Sequence, residues 1–69
     1  MLKNNLKALR SLKGINQSEA GRLVGVSRQT ISSIEGGEYN PSISLVLKLS
    51  ALFEVKVEEI FWIEGEDDE

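Results

Sequence analysis

Residues 28–34 read Arg-Gln-Thr-Ile-Ser-Ser-Ile, a set of side chains suited to recognising surfaces rather than to making or breaking bonds. On a helix turning by about 100° per residue, Ile31 and Ile34 point together, with Ser27 above them. The opposite side then carries Gln29, Ser33 and Gly36, with Ser32 beside them and Arg28 and Thr30 on the flanks. This outer face holds amides, hydroxyls and one guanidinium, and no carboxylate. A solvent-facing helix ordinarily places Glu and Lys there. Here the groups are short donors and acceptors of the kind that meet base edges and phosphates: Gln matches adenine, Arg matches guanine or phosphate, and Ser and Thr match either. The competing reading is a polar surface helix with no partner.

Bond-breaking chemistry has little to work with. The 69 residues include no cysteine and no histidine, so disulfides, thiolate metal sites and the commonest general base are absent. Aspartate occurs only at Asp67 and Asp68. Gly36–Gly37 follows a helical pattern and has no Lys-Ser/Thr after it, which suits a helix terminator rather than a phosphate-cradling loop. Glu58–Glu59 reads as a solvated turn. No enzyme activity, metal or cofactor is expected, and no small-molecule effector is evident. No apolar run approaches the length of a membrane span or a signal-peptide core, so a soluble cytoplasmic domain is the expectation. The net charge of -3 hides a split. Residues 1–50 carry Lys3, Lys7, Arg10, Lys13, Arg22, Arg28 and Lys48 against Glu19, Glu35 and Glu38, a balance of +4; residues 51–69 carry Lys56 against eight acids, a balance of -7. Such asymmetry fits a nucleic-acid face with an acidic tail, or a solvated surface with an acidic end.

The elements that must position the polar helix follow from caps and breakers. Asn4 or Asn5 can cap a first helix that presents Leu6 and Leu9 and stops at Gly14. Asn16, with Glu19 three residues on, forms a capping box for a short second helix ending at Gly25. Ser27 caps the third helix, from Arg28 to about Gly36. Glu38–Tyr39–Asn40–Pro41 is a loop, Ser42 caps a fourth helix through Phe53, and Glu58–Phe61 makes one more helical turn. The fold class is all-α: a compact bundle of four to five short helices, with Phe61–Ile63 able to pair as a strand with Met1–Lys3. Residues 1–63 form one domain and 64–69 an acidic tail expected to be disordered.

A second helix, a tight turn around Gly25 and a third helix make a helix–turn–helix unit. The runs Asn16-Gln17-Ser18-Glu19, Val24-Gly25-Val26-Ser27-Arg28-Gln29-Thr30-Ile31-Ser32-Ser33-Ile34-Glu35, then Gly37 and Tyr39-Asn40-Pro41-Ser42, resemble the lambda-repressor-like (Xre-type) helix–turn–helix family over residues 3 to 61. The resemblance is greatest to small stand-alone prokaryotic members, which end in a short aromatic strand and acidic tail. It implies a transcriptional regulator, most simply a repressor, that binds double-stranded DNA. Gln17 would bond a phosphate; its alternative role is capping. Ser27, which opens the recognition helix, would stand among the DNA-contacting residues. Arg28, Gln29, Ser32 and Ser33 would face the groove, with Arg28 and Gln29 the leading base readers, and Thr30 would approach the backbone. Tyr39 and Asn40 would clamp phosphates beyond the helix; otherwise Tyr39 packs on the surface and Asn40 shapes a turn. Arg10 and Glu35 occupy positions where the family joins the first helix to the third by an ion pair, or else they are two unrelated surface charges.

The sequence departs from the family at Ala20-Gly21, where Leu-Ala is usual. Either Ile15, Leu23 and the fourth helix fill the space, or the domain is softer than its relatives. The fourth helix is apolar around much of its circumference, and Phe61, Trp62 and Ile63 follow one another in a chain with little core to bury them. Leu52, Phe61, Trp62 and Ile63 are therefore expected at the interface of a symmetric homodimer on an inverted-repeat operator. An antitoxin that binds a toxin and its own promoter is the alternative function on the same fold.

Overall fold

The computed structural model describes residues 1–65, so the expected tail, apart from Glu64 and Gly65, lies outside the described residues. The elements run β1 (Leu2–Asn4), α1 (Leu6–Lys13), α2 (Gln17–Val24), α3 (Arg28–Glu35), α4 (Ile43–Phe53), a 3-10 turn (Val57–Glu59) and β2 (Phe61–Ile63). The caps explain most of these limits. Asn16 Oδ1 accepts from the Glu19 amide at 2.8 Å, while Glu19 Oε1 accepts from the Asn16 amide at 2.9 Å. Ser27 and Ser42 accept from the amides of Thr30 and Leu45, each three residues on. Each such cap contributes about 1 kcal/mol. At the start of α1 it is Asn4 that acts: its Oδ1 accepts from the Leu6 amide and its Nδ2 donates to the Ile34 carbonyl. Asn5, the formal cap, makes no capping bond with its side chain.

Two boundaries differ from expectation. The terminal helical turn covers Val57–Glu59 rather than Glu58–Phe61, because Phe61 is drawn into the antiparallel pair β1–β2. The pairing sets Leu2 opposite Ile63, Lys3 opposite Trp62 and Asn4 opposite Phe61. It thus involves Leu2–Asn4, one residue along from Met1–Lys3. The Asn5 amide donates to the Ile60 carbonyl and carries the ladder into α1.

The core is made by Leu6, Ala20, Val24, Ile31, Ile34, Leu45, Leu49, Ile60 and Phe61. α3 contributes Ile31 and Ile34, the two apolar side chains of its 3.6-residue period, and so turns its polar side away from the core. Burying each such side chain is worth about 1.5–3 kcal/mol. No helix among the described residues is long and apolar enough to cross a membrane.

The Ala20–Gly21 departure has a structural reason at its second position. Gly25 adopts a left-handed conformation (φ 81°), and the chain doubles back so tightly that the Gly21 carbonyl accepts from the amides of both Gly25 and Val26. A Cβ on Gly21 would lie 2.6 Å from the Val26 carbonyl oxygen and 3.1 Å from Ser27 backbone atoms. Gly21 therefore sits where the turn presses on α2, not beside a void. Ala20 is fully buried, Ile15 packs against the core, and Leu23 remains half exposed and fills nothing. Replacing Gly21 by valine should cost about 1–3 kcal/mol through overpacking, measured as a lower urea midpoint with an unchanged slope.

Candidate nucleic-acid interface

α2 and α3 are locked together by the tight turn at Gly25, so the orientation of α3 is set by how α2 is held. Three polar side chains do this. Arg10 Nε donates to Glu35 Oε2 at 2.6 Å and its Nη2 to Glu35 Oε1 at 3.1 Å, a bidentate pair between α1 and the last residue of α3. Arg10 Nη1 also donates to the Ile15 carbonyl at 3.1 Å, in the α1–α2 connection. Gln17 Nε2 donates to Glu35 Oε1 at 3.0 Å and brings in the first turn of α2. The Arg10 and Glu35 side chains are only 11% and 8% exposed. Gln17 thus has a structural bond to Glu35 that spacing does not reveal, since the two lie in different helices.

Burial pushes the Glu35 carboxyl up, but the hydrogen bonds from Arg10 and Gln17 and the nearby charges of Arg10 and Lys7 bring it below the usual carboxylate range. The Arg10 guanidinium is raised further by its hydrogen bond to Glu35, against the opposing effect of burial.

On this frame α3 displays its first turn. Arg28 and Gln29 are exposed, and neither side chain has a hydrogen-bonding or ionic partner among the described residues. Ser32 and Ser33 are half-buried, so the outward face is centred on Arg28 and Gln29, not on Ser33 as the wheel suggests. Ser27 and Thr30 are less free: Ser27 Oγ accepts from the Thr30 amide and lies 3.1 Å from Thr30 Oγ1. Their hydroxyls are occupied in starting the helix. Tyr39 is 46% exposed and Asn40 is exposed, both in the loop between α3 and α4, and no side-chain hydrogen bond holds either among the described residues. α3 contains one carboxylate, Glu35, and it is turned into the Arg10 pair. No group of three or more potential metal-ligating side chains occurs among the described residues.

The residues expected at a dimer interface divide. Phe61 is 7% exposed and belongs to the core; the core holds one of the three consecutive large residues because Asn4 and Phe61 pair at its edge. Phe61 is therefore not available to a partner. Leu52 is half-buried against the core. Trp62 and Ile63 are exposed, at 39% and 76%. Ile43 and Leu47, at 75% and 58%, were not singled out from sequence. Their spacing of four, offset from the buried Leu45 and Leu49 by two positions, is the signal that could have found them.

A bundle in which a capped, turn-locked helix pair presents a polar second helix is a helix–turn–helix domain. A family model described as helix-turn-helix matches residues 6–60. An uncharacterized HTH-type transcriptional regulator of Bacillus subtilis is 46% identical, covering 96% of this chain and 100% of that one. Among solved structures, the N-terminal DNA binding domain of SinR from Bacillus subtilis is 39% identical with a TM-score of 0.70, covering 77% of this chain and 78% of that one. The restriction-modification controller protein C.AhdI from Aeromonas hydrophila is 31% identical with a TM-score of 0.72, covering 78% and 82%. The chain belongs to the helix-turn-helix family of the lambda-repressor-like type.

The Glu35 shift has a consequence for stability. A carboxylate whose folded value lies below its unfolded one contributes stability that is complete above the unfolded value and is lost as pH falls through the folded value. Glu35→Gln should therefore flatten the acid limb of the stability curve while lowering stability at neutral pH. Arg10→Ala, which strands the carboxylate, should cost about 3 kcal/mol or more. Urea titrations between neutral and acid pH measure both.

Proposed function

We propose that this protein is a sequence-specific transcriptional regulator that reads duplex DNA through α3, acting as a repressor from the cytoplasm. One observation carries the reading: Arg28 and Gln29 stand exposed and unengaged on a helix whose single carboxylate is neutralised by Arg10. Such a face presents donors to a polyanion with no opposing charge, and its two long side chains match the edges of guanine and adenine. Ser32 and Ser33 would lie at its margin, and Tyr39 and Asn40 would reach phosphates beyond the helix. Gln17 has one N–H on Glu35 and a second to offer a phosphate. The names of the regulator from Bacillus subtilis, of the SinR domain and of C.AhdI support the same reading. Gln29→Ala should relax base preference and cost about 1–3 kcal/mol of specific binding. Arg28→Ala should weaken binding as well. Selection of bound sites from random duplexes checks both; unchanged site preference in the two variants would contradict the reading.

A symmetric homodimer on an inverted-repeat operator completes the proposal. Exposed Ile43 and Leu47 on α4, and Trp62 and Ile63 on β2, supply apolar surface for a partner copy. A two-fold pair would set two recognition helices about 34 Å apart, one turn of duplex. Leu47→Asp or Ile63→Asp should yield monomers by sedimentation whose operator affinity collapses while half-site preference survives. Wild-type protein that sediments as a monomer at high concentration and binds single half-sites would contradict the dimer.

A further inference from the structure

The corner where α1, α2 and α3 meet poses an electrostatic problem for any anion that approaches it. Gln17, offered above as a phosphate contact, is bonded 3.0 Å from its Nε2 to the carboxylate of Glu35. A phosphate bonded by the other N–H of that amide would lie close to this negative charge. Arg10 cancels that charge, with three of its five N–H groups committed and little of its side chain exposed. Its Nε and Nη2 are used on Glu35, its Nη1 on the Ile15 carbonyl, and its side chain is 11% exposed. The pair is neutral, and its cation is turned inward.

The next cation is Lys7. It lies three residues before Arg10 on α1, which places it on the adjoining strip of the helix surface. It is exposed, and among the described residues it forms no salt bridge, with Glu35 or any other acid. Glu35, which burial pushes up and the bonds from Arg10 and Gln17 pull down, also feels the Lys7 charge. The ammonium therefore stands near the cluster without closing on it. Its position beside a neutral ion pair makes it the residue that turns the corner net positive.

We propose that Lys7 binds a backbone phosphate of duplex DNA, carrying the contact surface from the start of α2 onto α1 and giving the corner beside the neutral Arg10–Glu35 pair a net positive charge. This assignment rests on the duplex-binding reading of α3. Lys7 would act as a point charge without base preference, since an ammonium on a flexible stem fixes position weakly and reads no sequence.

The test is a salt titration of the full chain on a mixed-sequence duplex, comparing wild type with Lys7→Gln and Lys7→Arg. For Lys7→Gln, the slope of log affinity against log salt should shrink by about 0.9 for each protomer bound. Affinity should fall about threefold to tenfold at low salt. Lys7→Arg should restore the slope, and both variants should keep the wild-type melting temperature and selected sequence. A Lys7→Gln protein with the wild-type slope overturns the assignment while leaving the α3 reading intact. A wild-type chain that binds no duplex overturns both.

Discussion

Arg10 and Glu35 lie 25 positions apart and meet at 2.6 Å, with both side chains largely withdrawn from water. Three of the four helices depend on that contact. Arg10 belongs to α1 and reaches the α1–α2 connection at Ile15; Glu35 ends α3; Gln17, the first residue of α2, is tied to the same carboxylate. A buried ion pair of this sort adds little net stability relative to an apolar replacement, because desolvation offsets the attraction. Its value here is geometric. A planar guanidinium that grips a carboxylate by two bonds fixes the end of α3 in direction as well as distance, and a recognition surface requires a fixed direction. The same contact removes the one negative charge that α3 would otherwise carry.

The remaining constraints act at the other end of α3. Gly25 in its left-handed conformation and Gly21 beneath the Val26 carbonyl bring α2 and α3 into a fixed angle. Ser27 and Thr30 then begin α3 with their hydroxyls engaged. Between these two ends, Ile31 and Ile34 secure the inner side. Arg28 and Gln29 are left as long side chains on a short, rigid helix held at both ends. The β1–β2 pair has a supporting part: it brings Phe61 into the core, and Asn4 of β1 bonds the Ile34 carbonyl near the end of α3. A chain of 69 residues has little apolar surface to bury, and this one uses its terminal strand for that purpose.

Much of this was legible in the sequence because it is governed by local rules. Asn16 with Glu19, Ser27 and Ser42 announce helix starts through backbone amides three residues away, and Gly14 and Gly25 announce helix ends. The four helices follow from those signals. What depends on distant parts of the chain was less legible. The Gln17–Glu35 bond joins residues 18 apart through tertiary packing, so the sequence offered a phosphate contact as an expectation from resemblance alone and gave no sign of the structural bond. Gly21 looked like a weakness because helix propensity registers the missing side chain and not the carbonyl that occupies its place. Phe61 was expected at a surface because a chain this small has little core for three large residues in succession. Phe61 and Ile63 share one side of β2, and Phe61 is the buried one because it lies at the strand end next to Ile60, where the ladder runs into α1. The half-burial of Ser32 and Ser33 likewise depends on neighbouring elements, which a wheel omits.

The central claim is that the first turn of α3, held by the Arg10–Glu35–Gln17 cluster, is the surface that meets duplex DNA. Backbone amide chemical shifts recorded while a selected duplex is titrated into the labelled protein test it most directly. The account predicts that the largest changes fall at Gln17, Arg28, Gln29 and the loop around Tyr39 and Asn40, with the outer surface of β2 at Trp62 changing little. Perturbations centred on Trp62 and Ile63, with Arg28 and Gln29 silent, would contradict it.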